Sequence, residues 1–298
     1  MKKYQNILRI SLSILGIICL IGAAYLFVNN QRDKQHAENT FDELRPSNDN
    51  FIPNTPPAAL TEEPVTASPT PDTEAAEEPL IAEPTVLPSV TPEPIIEENP
   101  YRDSFLANDD MVAWLKIPDT GIDYPVMWTP GDEEYYLYRD FNGKDNKNGC
   151  LLLDTDSSVS PFTTNLIIHG HNMKSGAMFG KLTDYEDKSY FEEHRYITLY
   201  TEECQRNYEI IAVFRSQVYK KTDTVFKFYK FFQANTEEEF NDFYENIKKL
   251  SVYDTGVTAE FGDHFITLST CVYHVTNGRF VVVAKEIEPG ETYIPIER

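Results

Sequence analysis

The sequence predicts a mainly β fold closed, or nearly closed, into a barrel. A transmembrane helix and a disordered linker are expected to precede it. Three observations lead there. An uncharged apolar run fills Ile10 to Val28. Prolines recur among Glu, Thr, Ser and Ala from Pro46 to Pro100. After Tyr101, short apolar and β-branched runs alternate with turn residues, and closing such strands into a barrel removes exposed edges.

The apolar run is about as long as a bilayer of ~30 Å requires. Lys2, Lys3 and Arg9 precede it and no acid does. The positive-inside bias therefore predicts a cytoplasmic N-terminus, with everything after Val28 outside. A cleaved signal peptide ending near Gly22-Ala23-Ala24 is disfavoured, because Tyr25-Leu26-Phe27-Val28 carry the apolar run past that point. Residues 1–29 are thus read as cytoplasmic terminus and signal-anchor. Residues 30–100 show no helix or strand pattern. They read as a disordered Pro/Glu-rich spacer, since such a composition cannot bury enough apolar surface to order itself.

Residues 101–298 form the expected globular domain. Tyr101 to Asp110 reads as a short helix. Strands are expected over Met111–Ile117, Ile122–Trp128, Cys150–Leu153, Asn165–Ile168, Tyr196–Thr201 and Tyr208–Tyr219, then His264–Cys271 and Phe280–Ala284. A long helix interrupts them before the last two. Thr236 and Glu239 make a capping box. Phe240, Phe243, Tyr244, Ile247 and Leu250 share one face, and Lys248 and Lys249 suit the C-terminal dipole.

The net charge of -22 argues against a nucleic-acid partner, which needs a basic patch. Four cysteines are present. Cys19 lies in the apolar run, and the odd number outside it leaves at least one free thiol. A Cys150–Cys204 disulfide is the less favoured reading of the other two.

One constellation carries chemistry. Cys271 closes a strand, Arg279 opens the next, and Val272 to Gly278 makes the loop between them, with Asn277-Gly278 as its turn signal. If the strands are neighbours, a thiol and a guanidinium meet at one loop mouth. A thiolate attacks if a cation lowers its pKa. A histidine serves as that cation and as proton donor. An arginine stays protonated and stabilises negative charge. A lone cysteine at a strand end is more commonly an inert buried thiol, so spacing by itself is weak evidence.

The residues also carry a resemblance. Thr267-Leu268-Ser269-Thr270-Cys271, followed by Arg279, resembles the cysteine and arginine signature of sortases. Asn165 to Met173, with His169-Gly170-His171, resembles the histidine segment of class B sortases. Ile122 to Val126, Tyr135-Tyr136-Leu137, Asp140 to Lys144 and the Thr236–Leu250 helix are similar to class B segments too. The resemblance spans roughly Tyr101 to Lys285. It implies a sortase-like barrel in which Cys271 is the nucleophile, His171 the proton-transfer residue and Arg279 the stabilising cation, with Ser269 lining the substrate site. A backbone-satisfied hydroxyl is an equal reading of Ser269.

His169 stands where relatives often have tyrosine, and i and i+2 on a strand face the same way. Family position selects His171 and leaves His169 as a polar wall residue. A zinc site of His169, His171 and Cys271 lacks a fourth spaced ligand. His274 reads as a surface residue. No cofactor or metal is implied. The implied partners are secreted proteins bearing a C-terminal sorting motif, a peptidoglycan or other amine acceptor, and the membrane through residues 10–28. A non-transferring cysteine hydrolase, an L,D-transpeptidase-like cross-linker and a non-catalytic wall-binding module remain the alternatives.

Overall fold

The computed structural model describes residues 2–46, 98–288, Tyr293 and Ile296. Most of the expected linker, 47–97, lies outside the described residues. Helix α1 spans Lys2–Asp42 and α2 Arg102–Ala107. The strands are β1 (Met111–Ile117), β2 (Ile122–Met127), β3 (Leu151–Leu153), β4 (Asn165–Gly170), β5 (Tyr196–Thr201), β6 (Gln205–Gln217), β7 (Phe265–Cys271) and β8 (Gly278–Glu288). Helix α3 (Lys188–Glu193) lies between β4 and β5, and α4 (Glu237–Leu250) between β6 and β7. The eight strands close into a barrel in the order β1-β2-β3-β4-β7-β8-β6-β5, β5 returning to β1. The β2–β3 and β4–β7 pairs are parallel and the others antiparallel.

Strand alternation splits the apolar residues into two layers. Leu166, Ile168, Ile266, Leu268, Phe280 and Val282 join the cluster that fills the barrel. Phe265, Val281 and Val283 face the other way and form a second cluster, with Phe214 of β6 and with Phe240, Phe243 and Ile247 of α4. The α4 stripe is thus a packing face, each fully buried side chain contributing about 1.5–3 kcal/mol. Its last predicted member, Leu250, is 41% exposed. The cap forms as predicted, with Glu239 N–H donating to Thr236 Oγ1 at 3.2 Å. The reciprocal bond is taken by Asn235 N–H, which donates to Glu239 Oε2 at 2.7 Å.

The structure corrects several expectations. The chain after Asn29 was expected to be without structure, yet α1 continues to Asp42 and Phe41 is fully buried. Burying one aromatic ring against the barrel stabilises an end that composition reads as solvated. Apart from these corrections, no helix among the described residues is long and apolar enough to cross a membrane. The expected start of the domain at Tyr101 falls late. Asn99 is buried and its Nδ2 donates to Thr201 O at 2.8 Å and Glu202 O at 3.2 Å. Strand β6 starts at Gln205 rather than Tyr208, and β8 at Gly278 rather than Phe280. α3 and two short 3-10 turns, Leu182–Glu186 and Phe228–Lys230, have no counterpart in the sequence reading.

Candidate active site

The parallel pairing of β4 with β7 brings both C-terminal ends to one rim. Gly170 is level with Thr270, which brings Cys271, the last residue of β7, and His171, the first residue past β4, to the same rim. Directly across β7, Cys271 pairs with Arg279 of β8. The neighbouring pair exchanges a backbone bond, Val272 N–H donating to Gly278 O at 3.1 Å. Cys271 and Arg279 are therefore the closer, non-hydrogen-bonded kind of pair, with Cα atoms ~4.5 Å apart. The thiol and guanidinium predicted to share a loop mouth do so.

Two glycines make this rim possible. A Cβ on Gly278 would meet Val272 O at 2.4 Å and His274 Nδ1 at 2.8 Å. One on Gly170 would meet Leu151 Cδ2 at 2.6 Å and Phe179 Cδ2 at 2.7 Å. Asn277 takes the left-handed turn before Gly278 at φ 57°, as an asparagine in that region can.

The side chains are held mainly by backbone. His171 Nε2 bonds the carbonyl of Leu137 at 2.9 Å. A carbonyl only accepts, so Nε2 carries hydrogen, and Nδ1 has no partner among the described residues. Tyr138 lies beside the imidazole, with ring centroids 5.1 Å apart. Asn172 Nδ2 donates to the Cys271 carbonyl at 2.9 Å, tying the two strand ends together. Arg279 Nη1 donates to Gly278 O at 3.1 Å. Cys271 is exposed. No hydrogen bond joins its sulfur to His171 or Arg279 among the described residues, a looseness common before substrate closes a site.

One step down the strands, His169 pairs in register with Ser269. Its Nε2 bonds Asp154 Oδ2 at 3.1 Å. Burial pushes the Asp154 carboxyl up. The His169 hydrogen bond, the Asp156 N–H and the charges of His169 and Lys230 outweigh it and hold the carboxyl below its usual range. Ser269 shares the Cys271 face by alternation, but it is 1% exposed and its Oγ is buried without a hydrogen-bond partner. That differs from a hydroxyl satisfied by backbone. His274 is exposed in the loop. Among the described residues, no group of three or more His, Cys, Asp or Glu is placed to hold a metal ion.

All four cysteines are free, so Cys150 and Cys204 do not pair. Cys150 is buried, and burial pushes its thiol up out of the reactive range. Sequence reasoning missed the Leu137 carbonyl, Tyr138, Asn172 and Asp154. Only Asn172, adjacent to His171, offered a signal. The others reach the site through folding. Two cavities of about 630 and 470 Å³ lie elsewhere, beside α2 and beside the end of α1, and Cys271 lines neither.

A barrel with an exposed strand-end cysteine, an arginine across the next strand and a histidine at the parallel neighbour's end defines a class, and comparison with known proteins agrees. The sortase-domain family model matches residues 115–287, more than half of the chain. The chain belongs to the sortase family.

Within the family its likeness is to class B. It is 36% identical over 186 residues to sortase B of Listeria monocytogenes, covering 62% of this chain and 72% of that one. It is 27% identical to sortase B of Staphylococcus aureus, covering 61% and 72%. Among solved structures, the Staphylococcus aureus sortase B–substrate complex superposes with a TM-score of 0.57 at 26% identity, covering 64% of this chain and 87% of that one. Sortase B from B. anthracis in complex with AAEK1 gives 0.56 at 31% identity, covering 65% and 88%. The chain is accordingly a cysteine transpeptidase of the sortase B type.

Proposed function

We propose that this transpeptidase is anchored in the cell membrane with its barrel outside. There it would cleave a C-terminal sorting motif of secreted proteins and transfer the acyl group to a cell-wall amine. One observation carries the chemistry: an exposed Cys271 paired with Arg279 across β7–β8, at the rim where the parallel strand β4 ends one residue before His171.

The steps follow from the groups. With His171 as the imidazolium, protonated at both ring nitrogens, the Cys271 thiolate adds to a backbone carbonyl carbon of the motif. Arg279 and nearby N–H groups stabilise the oxyanion. The C–N bond breaks, and the departing amine takes a proton from His171 Nδ1. A thioester remains on Sγ. An incoming amine adds to that carbonyl, gives its proton to His171 and expels the thiolate. Ser269, beneath Cys271 with an unpartnered hydroxyl, lines the groove that receives the motif.

The anchor is supported by the uncharged run Ile10–Val28 and its preceding basic residues. In α1 the side chains of Leu20, Ile21, Leu26 and Phe27 are each more than 60% exposed. Holding enzyme and substrate at one membrane makes their encounter effectively intramolecular.

The test is motif-peptide library cleavage by the full chain, with and without added amine. A new amide to the amine is expected. Free acid alone, in the presence of saturating amine, would make the protein a hydrolase, and no cleavage of any peptide would make it a binding module.

A further inference from the structure

Sequence order puts the Pro/Glu-rich stretch between the apolar run and the barrel, where it reads as a stalk. The structure gives the connection to other residues. Phe41, at the end of α1, is fully buried and stands edge-on to Tyr124 of β2, with centroids 5.4 Å apart at 74°. Leu44 packs on the same core. Its carbonyl accepts from Ser104 Oγ of α2 at 3.1 Å. Arg45 Nη2 donates to Asp123 O at 3.2 Å, and its Nε pairs with Asp123 Oδ2 at 3.1 Å. Asp123 is itself fixed by Trp114 Nε1, which donates to Oδ1 at 2.6 Å. The chain has therefore already docked on the barrel before residue 47. It docks again at Asn99 on the far side of the Pro-rich stretch.

We propose that Phe41, Leu44 and Arg45 are the tether that holds the barrel to its membrane helix, and that residues 47–97 are an insertion outside the path that carries the load. This rests on the anchor reading above for its membrane consequence. From Val28 to Phe41 an α-helix rises about 20 Å. Residues 47–97 fully extended at ~3 Å per residue would reach roughly 150 Å. The first figure sets the working height. The active rim then serves motifs and amines presented within a shallow layer next to the bilayer, not those deep in the wall.

The test uses the full chain in phosphatidylglycerol–phosphatidylcholine vesicles. Leu44→Cys and Ser104→Cys are introduced with Cys19, Cys204 and Cys271 changed to Ser, and dibromobimane, fluorescent when it bridges two close thiols, is added. Bridging is expected, and Phe41→Asp should reduce it at least tenfold. No bridging, or equal bridging with Phe41→Asp, overturns the docking. Both changes lie outside the barrel strands, and motif cleavage by Phe41→Asp with Cys271 restored controls for folding. Height is read by energy transfer from a donor at Tyr273→Cys, replacing a side chain that is 93% exposed, to a headgroup acceptor. Deleting residues 60–85 should leave transfer unchanged, and Phe41→Asp should lower it. The opposite pair of results makes the stretch a stalk and ends the proposal. Vesicle co-sedimentation is scored separately. A chain that stays in the supernatant defeats the anchor reading, while the bimane result still decides the docking.

Discussion

Arg279 and His171 reach the surroundings of Cys271 by different routes, one across the antiparallel β7–β8 pair and one just past the end of the parallel β4–β7 pair. Cys271→Ala should abolish motif cleavage. His171→Ala should lower kcat/KM roughly 100-fold or more, the scale of general acid–base catalysis, with His169→Ala much milder. The reverse order in peptide kinetics would reassign the histidine. Arg279→Lys should not restore the activity lost in Arg279→Ala, because an ammonium cannot reproduce the planar fork. Asp154 offers a pH test. Its carboxyl is held below the usual range in the fold. A depressed carboxyl contributes stability that is complete above its unfolded value of ~3.9 and is lost as pH falls through the folded value. Asp154→Asn should therefore cost about 1.5 kcal/mol, the scale of a charge-assisted bond, at neutral pH. The difference should fade in acid denaturation curves taken below about pH 4. A constant difference down to pH 2 would contradict it.

At the scale of elements, the rim depends on a glycine and the barrel's outer face on a helix. Gly278→Ala forces the loop away from Val272 O. It should depress activity more than melting temperature, since the strained atoms belong to the turn between Cys271 and Arg279. Phe243, buried between β7 and α4 with its ring 5.3 Å from that of Phe265, should cost about 3–5 kcal/mol on truncation to Ala, measured by chemical denaturation. Thr236→Ala should cost only about 1 kcal/mol. Helix α4 was legible because capping, dipole and stripe are all local. The short helices at 182–186 and 188–193 were not. Their buried Leu182, Tyr185 and Phe191 are too few to set a period, and tertiary packing forms them.

For the whole molecule, the three free thiols outside α1 differ by burial, and alkylation of the folded chain should rank them. Cys271 should react before Cys204, and Cys150 only on unfolding. Early labelling of Cys150 would mean the barrel opens near β3. The start of the domain matters as well. A chain beginning at residue 101 lacks Asn99, whose side chain bonds two carbonyls at the end of β5. It should be less stable than one beginning at 98, by about 1–3 kcal/mol.

The sequence by itself determined which residues meet at the candidate site. Strand periodicity, turn residues and the Cys271–Arg279 spacing are properties of adjacent positions, and the order of motifs along the chain selected the family. It also determined that α4 has a buried face. Only the tertiary structure decided what holds those residues. The partners that orient His171 and Asp154 are a backbone carbonyl and a side chain from other elements, and no local pattern encodes a carbonyl's position. The same holds for the end of α1. Its composition reads as solvent-facing, and one buried ring, Phe41, meeting Tyr124 across a long stretch of sequence, brings it onto the barrel.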